Sequence, residues 1–246
     1  MAVDEALARH RLEGEATLRI YRWVRPSLSF GRNQAVEGRY DPHALRSLGV
    51  EVVRRPTGGR EVLHDRELTY AVVLPAGSPG SPRGIYRAVN GALLDALRAL
   101  GVRGEIAAPA HRTPPPDAGA CFGDPAAGEV VVQGRKLVGS AQLRMGRTLL
   151  QHGSLLLDRP SVDLGAVVSV GAAGSPRSGP LASGTTLREL GAGPVSFVEI
   201  ASTVEAAVAA TFGGRWRVAE ALTPEEAATA DELEPRYLDP LRTWRR

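Results

Sequence analysis

The chain contains one cysteine, Cys121, so it cannot close a disulfide on itself. It also contains one lysine, Lys136. Lys and Arg total 30, so every other positive side chain is an arginine. Aromatic residues make up 5% of the chain, which leaves aliphatic side chains and alanine to fill the core. No apolar run approaches the ~20 residues a membrane-spanning helix requires. The opening MAVDEALARH carries acids where a signal peptide would have a basic start and an apolar segment. The five histidines lie far apart, with no H-E-x-x-H and no Cys/His cluster, so no metal site is expected. Neither a phosphate-binding G-x-x-x-x-G-K-[ST] loop nor a G-x-S-x-G nucleophile elbow occurs. These absences indicate a cytoplasmic protein that acts without metal and without a membrane.

What is present is ordinary in bulk. The 246 residues are 43% hydrophobic and 23% charged, with a formal net charge of +3. That size suits one large domain spanning 1–246. The arginine excess would suit an acidic partner, but no dense basic block with interleaved aromatics appears, so nucleic-acid binding is not expected.

The patterning alternates short strands with helices. Residues 2–12 read as a helix, 17–23 as a strand, and 41–49 as a helix with Asp41 as cap, Pro42 in its first turn and Gly49 at its end. Strands follow at 50–55 and 68–75, then a long amphipathic helix at 81–101. The Pro/Ala-rich 107–120 reads as a loop, and so does the Gly/Ser-rich 169–184. Between them lie strands at 129–133, 136–143 and 148–157. "QGRK" would join the first two as a two-residue hairpin with Gly134 at the first central position, which suits a type II′ turn. A helix at 196–213, a last strand in "RWRVAEAL" (215–222) and a capped helix from Thr223 complete the chain. The class is α+β, with a mixed, largely antiparallel sheet flanked by helices.

Four stretches carry chemistry. In "GRKLVGSAQLR" strict alternation puts Lys136, Val138, Ser140, Gln142 and Arg144 on one face, beside the small residues Gly139 and Ala141. If charge alone mattered, arginine would be the default here. A retained ammonium is a compact point charge rather than a fork. In "RRPTGGR", Gly58 and Gly59 permit close backbone approach among Arg54, Arg55 and Arg60. The stretch reads either as a tight turn with surface arginines or as a cradle for a carboxylate, phosphate or thioester. His64 and Asp65 follow, a pair that more often marks a structural hydrogen bond than a catalytic dyad. His152, Gly153 and Ser154 form a polar island in an apolar strand, either a satisfied core histidine with its neighbours or the wall of a site. Cys121 in "GACFGDP" is either a small core residue or, with small neighbours and Lys136 fifteen residues on, an acyl-accepting nucleophile.

Together "RRPTGGREVLHDRELTYAVVLP" and "GRKLVGSAQLRMGRTLLQHGSLLLD" resemble the arginine–glycine and lysine motifs of the lipoate/octanoate attachment family, relatives of biotin–protein ligase. The resemblance runs from "MAVDEAL" nearly to the C-terminus. It implies a biotin/lipoate-protein ligase-type catalytic domain. A cysteine ahead of the lysine hairpin, and "TGGR" where ligases typically have a third glycine, are similar to the cysteine-dependent octanoyltransferases.

On that resemblance Cys121 takes octanoate from octanoyl-acyl carrier protein as a thioester. Lys136 steadies the developing negative charge. Arg55, Thr57, Gly58, Gly59 and His64 shape the acyl pocket with Gly139, Ser140, Ala141, His152 and Gly153. The acceptor is the lysine of an apo lipoyl domain such as the glycine-cleavage H protein, and no cofactor is needed. The competing readings are an ATP-dependent lipoate or octanoate ligase, which would need ATP and magnesium, an amidotransferase between lipoyl domains, and an acyl-binding module without turnover. The resemblance also implies a further strand ahead of the first helix. The sequence shows none, so either the start lies upstream or the sheet lacks an edge strand.

Overall fold

Helix boundaries follow their capping chemistry. In the computed structural model, which describes residues 1–76, 78, 80–108, 122, 125–164, 184–193 and 195–244, helix α1 spans Ala2–His10. Helix α2 (Pro42–Ser47) opens on Asp41, whose carboxylate accepts the His43 N–H at 2.8 Å, and it stops before Gly49 at φ +70°. Helix α3 (Pro82–Ala99) opens on Ser81, whose hydroxyl accepts the Gly84 N–H at 3.1 Å. Helices α4 (Phe197–Phe212) and α5 (Pro224–Leu238) each begin with a reciprocal capping box, Ser196–Glu199 and Thr223–Glu226. Helix α6 is one turn, Pro240–Thr243.

The strands are β1 (Thr17–Tyr21), β2 (Ser27–Phe30), β3 (Glu51–Arg54), β4 (Val62–His64), β5 (Glu67–Pro75), β6 (Glu105–Ile106), β7 (Val130–Val132), β8 (Arg135–Met145) and β9 (Thr148–Leu156). Six form an antiparallel sheet in the order β1-β5-β9-β8-β7-β6. The other three form a small sheet, β3-β2-β4, in which β2 and β3 run parallel. The mixed character expected from the sequence therefore sits entirely in the small sheet.

One face of the large sheet packs on α3 and α4, where Tyr70, Val72, Val138 and Leu155 share a core with Val89, Leu93, Ile200 and Val204. The opposite face meets α1 through Leu7, Ala8, Ala71, Val73 and Leu150, and α5 packs behind α1. Strand β5 is buried on both faces, which is why it reads as a nearly unbroken apolar run. The small sheet keeps its own core of Leu28, Phe30, Tyr40, Leu45 and Leu63.

Three expectations are corrected. Residues 215–222 form no strand: Val218 is 81% exposed and no neighbouring edge pairs with the segment. The β7–β8 turn is centred on Gln133 (φ 51°) and Gly134 (φ 72°), with Val132 paired to Arg135, so Gly134 takes the second central position of a turn with both φ positive. Third, β8 does not alternate strictly. Val130 pairs with Val138 but Val131 pairs with Lys136, so Leu137 is an extra residue opposite β7. Leu137 and Val138 both belong to the core that α3 and α4 share with the large sheet. The strands β2, β4 and β6 had no counterpart in the sequence reading. The expected loop 107–120 is described only at 107–108, and all of 169–184 except Gly184 lies outside the described residues, as does Cys121.

Candidate active site

The bulge decides which side chains meet. It transfers Lys136 from the face of Ser140 and Gln142 to the face of Gly139. A side chain on Gly139 would begin 3.0 Å from Lys136 Cε and 3.3 Å from its Nζ. Lys136 is 1% exposed. A bare buried ammonium would be prohibitive, and this one donates to Glu129 Oε1 at 2.7 Å and lies 5.0 Å from the centre of the Phe122 ring. Phe122 is itself buried.

Farther along the same face, Ala141 pairs with His152 across β8 and β9. His152 bridges two elements. Its Nε2 lies 2.6 Å from the Thr57 hydroxyl and its Nδ1 faces Asp4 of α1 at 3.5 Å. Burial pushes the imidazole pKa below its ordinary value; Asp4 opposes that shift and the Arg55 charge adds to it. Burial alone would raise the Asp4 pKa, but the hydrogen bond with His152 and the charge of Arg19, 2.7 Å away, hold the carboxyl well below the ordinary range. Asp4 is therefore a buried carboxylate facing a neutral imidazole near neutral pH, and the Thr57 hydroxyl is the donor to Nε2.

A second polar chain joins the small sheet to the large one. Arg55 donates to Ser29 O and Oγ at 3.0 and 3.1 Å. Ser29 Oγ lies 2.7 Å from His64 Nε2, and His64 Nδ1 lies 2.7 Å from Glu67 Oε1. Thr69 and Ser154 donate to the same Glu67 oxygen at 2.6 and 2.7 Å. Trp23 donates to Thr69 at 3.0 Å and stacks on His64 at 4.4 Å. His64 thus bonds to Glu67, whereas Asp65 accepts from Ser161, so the adjacent His–Asp pair is not a dyad.

The glycine loop is braced from within. Arg55 also donates to Gly58 O and Arg60 O at 2.9 and 2.6 Å. Gly59 (φ +94°) packs its carbonyl against Gly31, where a β-carbon would meet it at 1.8 Å. Arg54 is buried in the opposite direction, donating to Gly31 O, Gln34 O and Thr243 O. The loop arginines are buried, not surface groups.

Of the residues singled out from the sequence, Lys136, Gly139, Ala141, His152, Thr57, Arg55 and His64 come to one side of the large sheet, with Gly58 and Gly59 in the loop beside them. Ser140 and Gly153 do not. Ser140 donates to Asn90 Oδ1 of α3 at 2.7 Å and lies 2.6 Å from the Tyr70 hydroxyl, whose pKa burial pushes up to about 12. A β-carbon on Gly153 would strike the Tyr70 ring at 2.8 Å. Asp4, Ser29, Glu67 and Glu129 went unnoticed in the sequence. Their one local signal is an acid or hydroxyl set within an otherwise apolar element, as in "SLSF" and "EVVV". An open cleft of about 3010 Å³ between α1, the β8–β9 turn and residues 213–223 reaches Arg55 but none of Lys136, Gly139 or His152. The buried polar groups converge at these residues and not in the cleft. Among the described residues no group of three His, Cys, Asp or Glu could hold a metal, and no helix is long and apolar enough to cross a membrane.

The family model for the lipoyl protein ligase A/B catalytic domain matches residues 1–209. Octanoyltransferase LipM of Kyrpidia tusciae is 42% identical over 250 residues, covering 97% of this chain and 91% of that protein. LipM of Geobacillus kaustophilus is 43% identical over 168 residues, covering 64% of this chain and 60% of that protein. LipM of Staphylococcus aureus is 40% identical over 170 residues, covering 64% of this chain and 61% of that protein. Among solved structures, the bipartite lipoate protein ligase of Thermoplasma acidophilum has a TM-score of 0.78 at 24% identity, covering 99% of this chain and 89% of that one. A lipoate-protein ligase A bound with ATP has a TM-score of 0.77 at 23% identity, covering 99% and 92%. At such identities the likeness is one of fold.

Proposed function

We propose the following for this chain, which belongs to the lipoyl protein ligase A/B catalytic-domain family: it is an octanoyltransferase of lipoate biosynthesis that carries the acyl group on Cys121. The thiolate of Cys121 attacks the thioester of octanoyl-acyl carrier protein. The carrier's sulfur leaves as a thiolate and takes up the proton that Cys121 had released, and octanoyl-Cys121 remains. The amine of a lysine on an apo lipoyl domain, such as the glycine-cleavage H protein, then attacks that carbonyl. An amide forms, the amine gives up a proton, and Cys121 is regenerated. Each addition places negative charge on the carbonyl oxygen, and a fixed ammonium nearby stabilises it. Lys136 supplies that ammonium. Arg55, Thr57, Gly58, Gly59, His64, Gly139, Ala141 and His152 form the acyl-binding wall, and no cofactor enters.

The observation that carries this reading is the seat of Phe122. Phe122 directly follows Cys121 in the sequence. Its buried ring lies against Lys136. The similarity to octanoyltransferases over nearly the whole chain supports the donor chemistry. The lipoate-protein ligase A solved with ATP bound is more distant in sequence, at 23% identity.

The test is an intact-protein mass spectrum after mixing with octanoyl-acyl carrier protein in the absence of ATP, for wild type and Cys121→Ser. One octanoyl adduct on wild type, released by neutral hydroxylamine and absent from the variant, is expected. No adduct, with acylation of a lipoyl domain supported by ATP and free octanoate, would make the chain a ligase.

A further inference from the structure

Lys136 does not hold its position by itself. Its side chain has four rotatable bonds, and ordering such a chain costs up to ~2 kcal/mol of rotamer entropy. Something fixed must define where the ammonium stands. Phe122 closes one side and the bare Cα of Gly139 lies under the Cε–Nζ end. A further contact is electrostatic, and it comes from a residue seven positions earlier.

We propose that Glu129 is the positioning residue for Lys136. Glu129 Oε1 accepts from Lys136 Nζ at 2.7 Å, and its Oε2 accepts the Ala126 N–H at 2.7 Å, so the two carboxylate oxygens are divided between the ammonium and the backbone. The backbone of Glu129 is also tied on both sides, by its N–H to Ala126 O at 3.2 Å and by its carbonyl to Ala107 N–H at 2.7 Å. It is 4% exposed. A carboxylate locked in this way cannot follow a wandering lysine; the lysine must come to it. An ammonium has donors and no acceptor lone pair, so Lys136 meets the acyl oxygen as a hydrogen-bond donor. The Leu137–Val138 bulge is what turns Lys136 toward Glu129's side of the strand.

This inference rests on the transferase reading. Its test is the kinetics of octanoyl transfer by Glu129→Gln and Glu129→Asp, with thermal unfolding measured on the same samples. Glu129→Gln keeps the shape and an acceptor for Ala126 but removes the charge. It is expected to lower kcat by about 10- to 100-fold, with KM for octanoyl-acyl carrier protein and the unfolding midpoint close to wild type. Glu129→Asp, which keeps the charge and withdraws it by one methylene, is expected to recover part of that loss. Wild-type kcat in a folded Glu129→Gln, a loss confined to KM, or an Asp variant no better than the Gln variant would overturn the proposal. If Glu129→Gln does not fold, Glu129→Asp decides alone: kcat several-fold down at an unchanged midpoint supports the proposal, and wild-type kcat overturns it. Absence of an octanoyl adduct on wild type would instead overturn the transferase reading, and this inference with it.

Discussion

Lys136 and Gly139 lie on the same face of β8 although they are three residues apart, and the vacant β-carbon position of Gly139 stands 3.0 Å from Lys136 Cε. Regular alternation would put them on opposite faces. The extra residue Leu137 removes one step of the alternation and brings the ammonium over the glycine.

Gly139→Ala should therefore act on the reaction before the fold. The new methyl would press on the far end of a flexible side chain and displace the ammonium. Octanoyl transfer is expected to fall at least about tenfold while the protein still unfolds cooperatively. Wild-type turnover by this variant would show that the ammonium's position is unimportant.

Lys136→Arg keeps the charge but not its shape. The slot holds a side chain 1% exposed, with Phe122 on one side and Gly139 beneath, and a planar fork cannot place its charge where the ammonium stood. A loss of about 100-fold or more in transfer is expected, the scale of removing one oxyanion donor. Near-normal steady-state turnover would sink the role given to Lys136.

Ser140 provides the contrast. It lies between Gly139 and Ala141 in the sequence, yet it serves Tyr70 and Asn90 on the α3 side. Ser140→Ala should cost about 1 kcal/mol of stability by removing one hydrogen-bond partner from each of those groups, which keep Gln151 as the other. Transfer at wild-type rate is expected from the folded variant. Denaturant melts and the transfer assay together check this, and a selective loss of transfer at full stability would return Ser140 to the acyl wall.

The Asp4–His152 pair predicts acid sensitivity in two stages. The folded imidazole has a pKa below its ordinary value, so as pH falls below about 6.5 the unfolded chain binds the proton first and stability declines. The Asp4 carboxyl is likewise held low in the fold, so its contribution is complete above about pH 4 and is lost as pH falls toward its folded value. Thermal midpoints should drop between pH 7 and pH 5, and His152→Asn should flatten that first stage. Equal slopes for wild type and variant in this window would rule His152 out as its source.

Gln133 occupies a left-handed conformation beside Gly134. Asparagine tolerates that region better, so Gln133→Asn should stabilise the protein by about 0.5 kcal/mol, read as a raised thermal midpoint. A lowered midpoint would mean that the glutamine side chain makes a contact worth more than the backbone relief.

Much of the frame was legible in the residues. The caps at Asp41, Ser196 and Thr223 and the apolar spacing of α3 are local signals acting within a few residues of themselves, and each marks an element that exists. The strands β2, β4 and β6 were not legible, because two to four residues carry too little pattern and exist only through their partners. The "RWRVAEAL" segment fails for the opposite reason: it has the composition of a strand, yet no strand of either sheet pairs with it.

The sequence by itself determined helices α1 to α5, the hairpin that carries Lys136 and the small residues beside it, because those follow from covalent neighbours and short-range periodicity; the family was legible through the resemblance of its two long motifs. Only the tertiary structure decided which of those residues face one another. A single unpaired residue in β8 reassigned Lys136 to the face of Gly139 and left Ser140 with α3. Asp4, Ser29, Glu67 and Glu129 became partners of the histidines and the lysine across up to 148 residues of chain, as Asp4 and His152 show. A strand's register with its neighbour is set by long-range pairing, and a one-residue change in that register inverts every side chain beyond it.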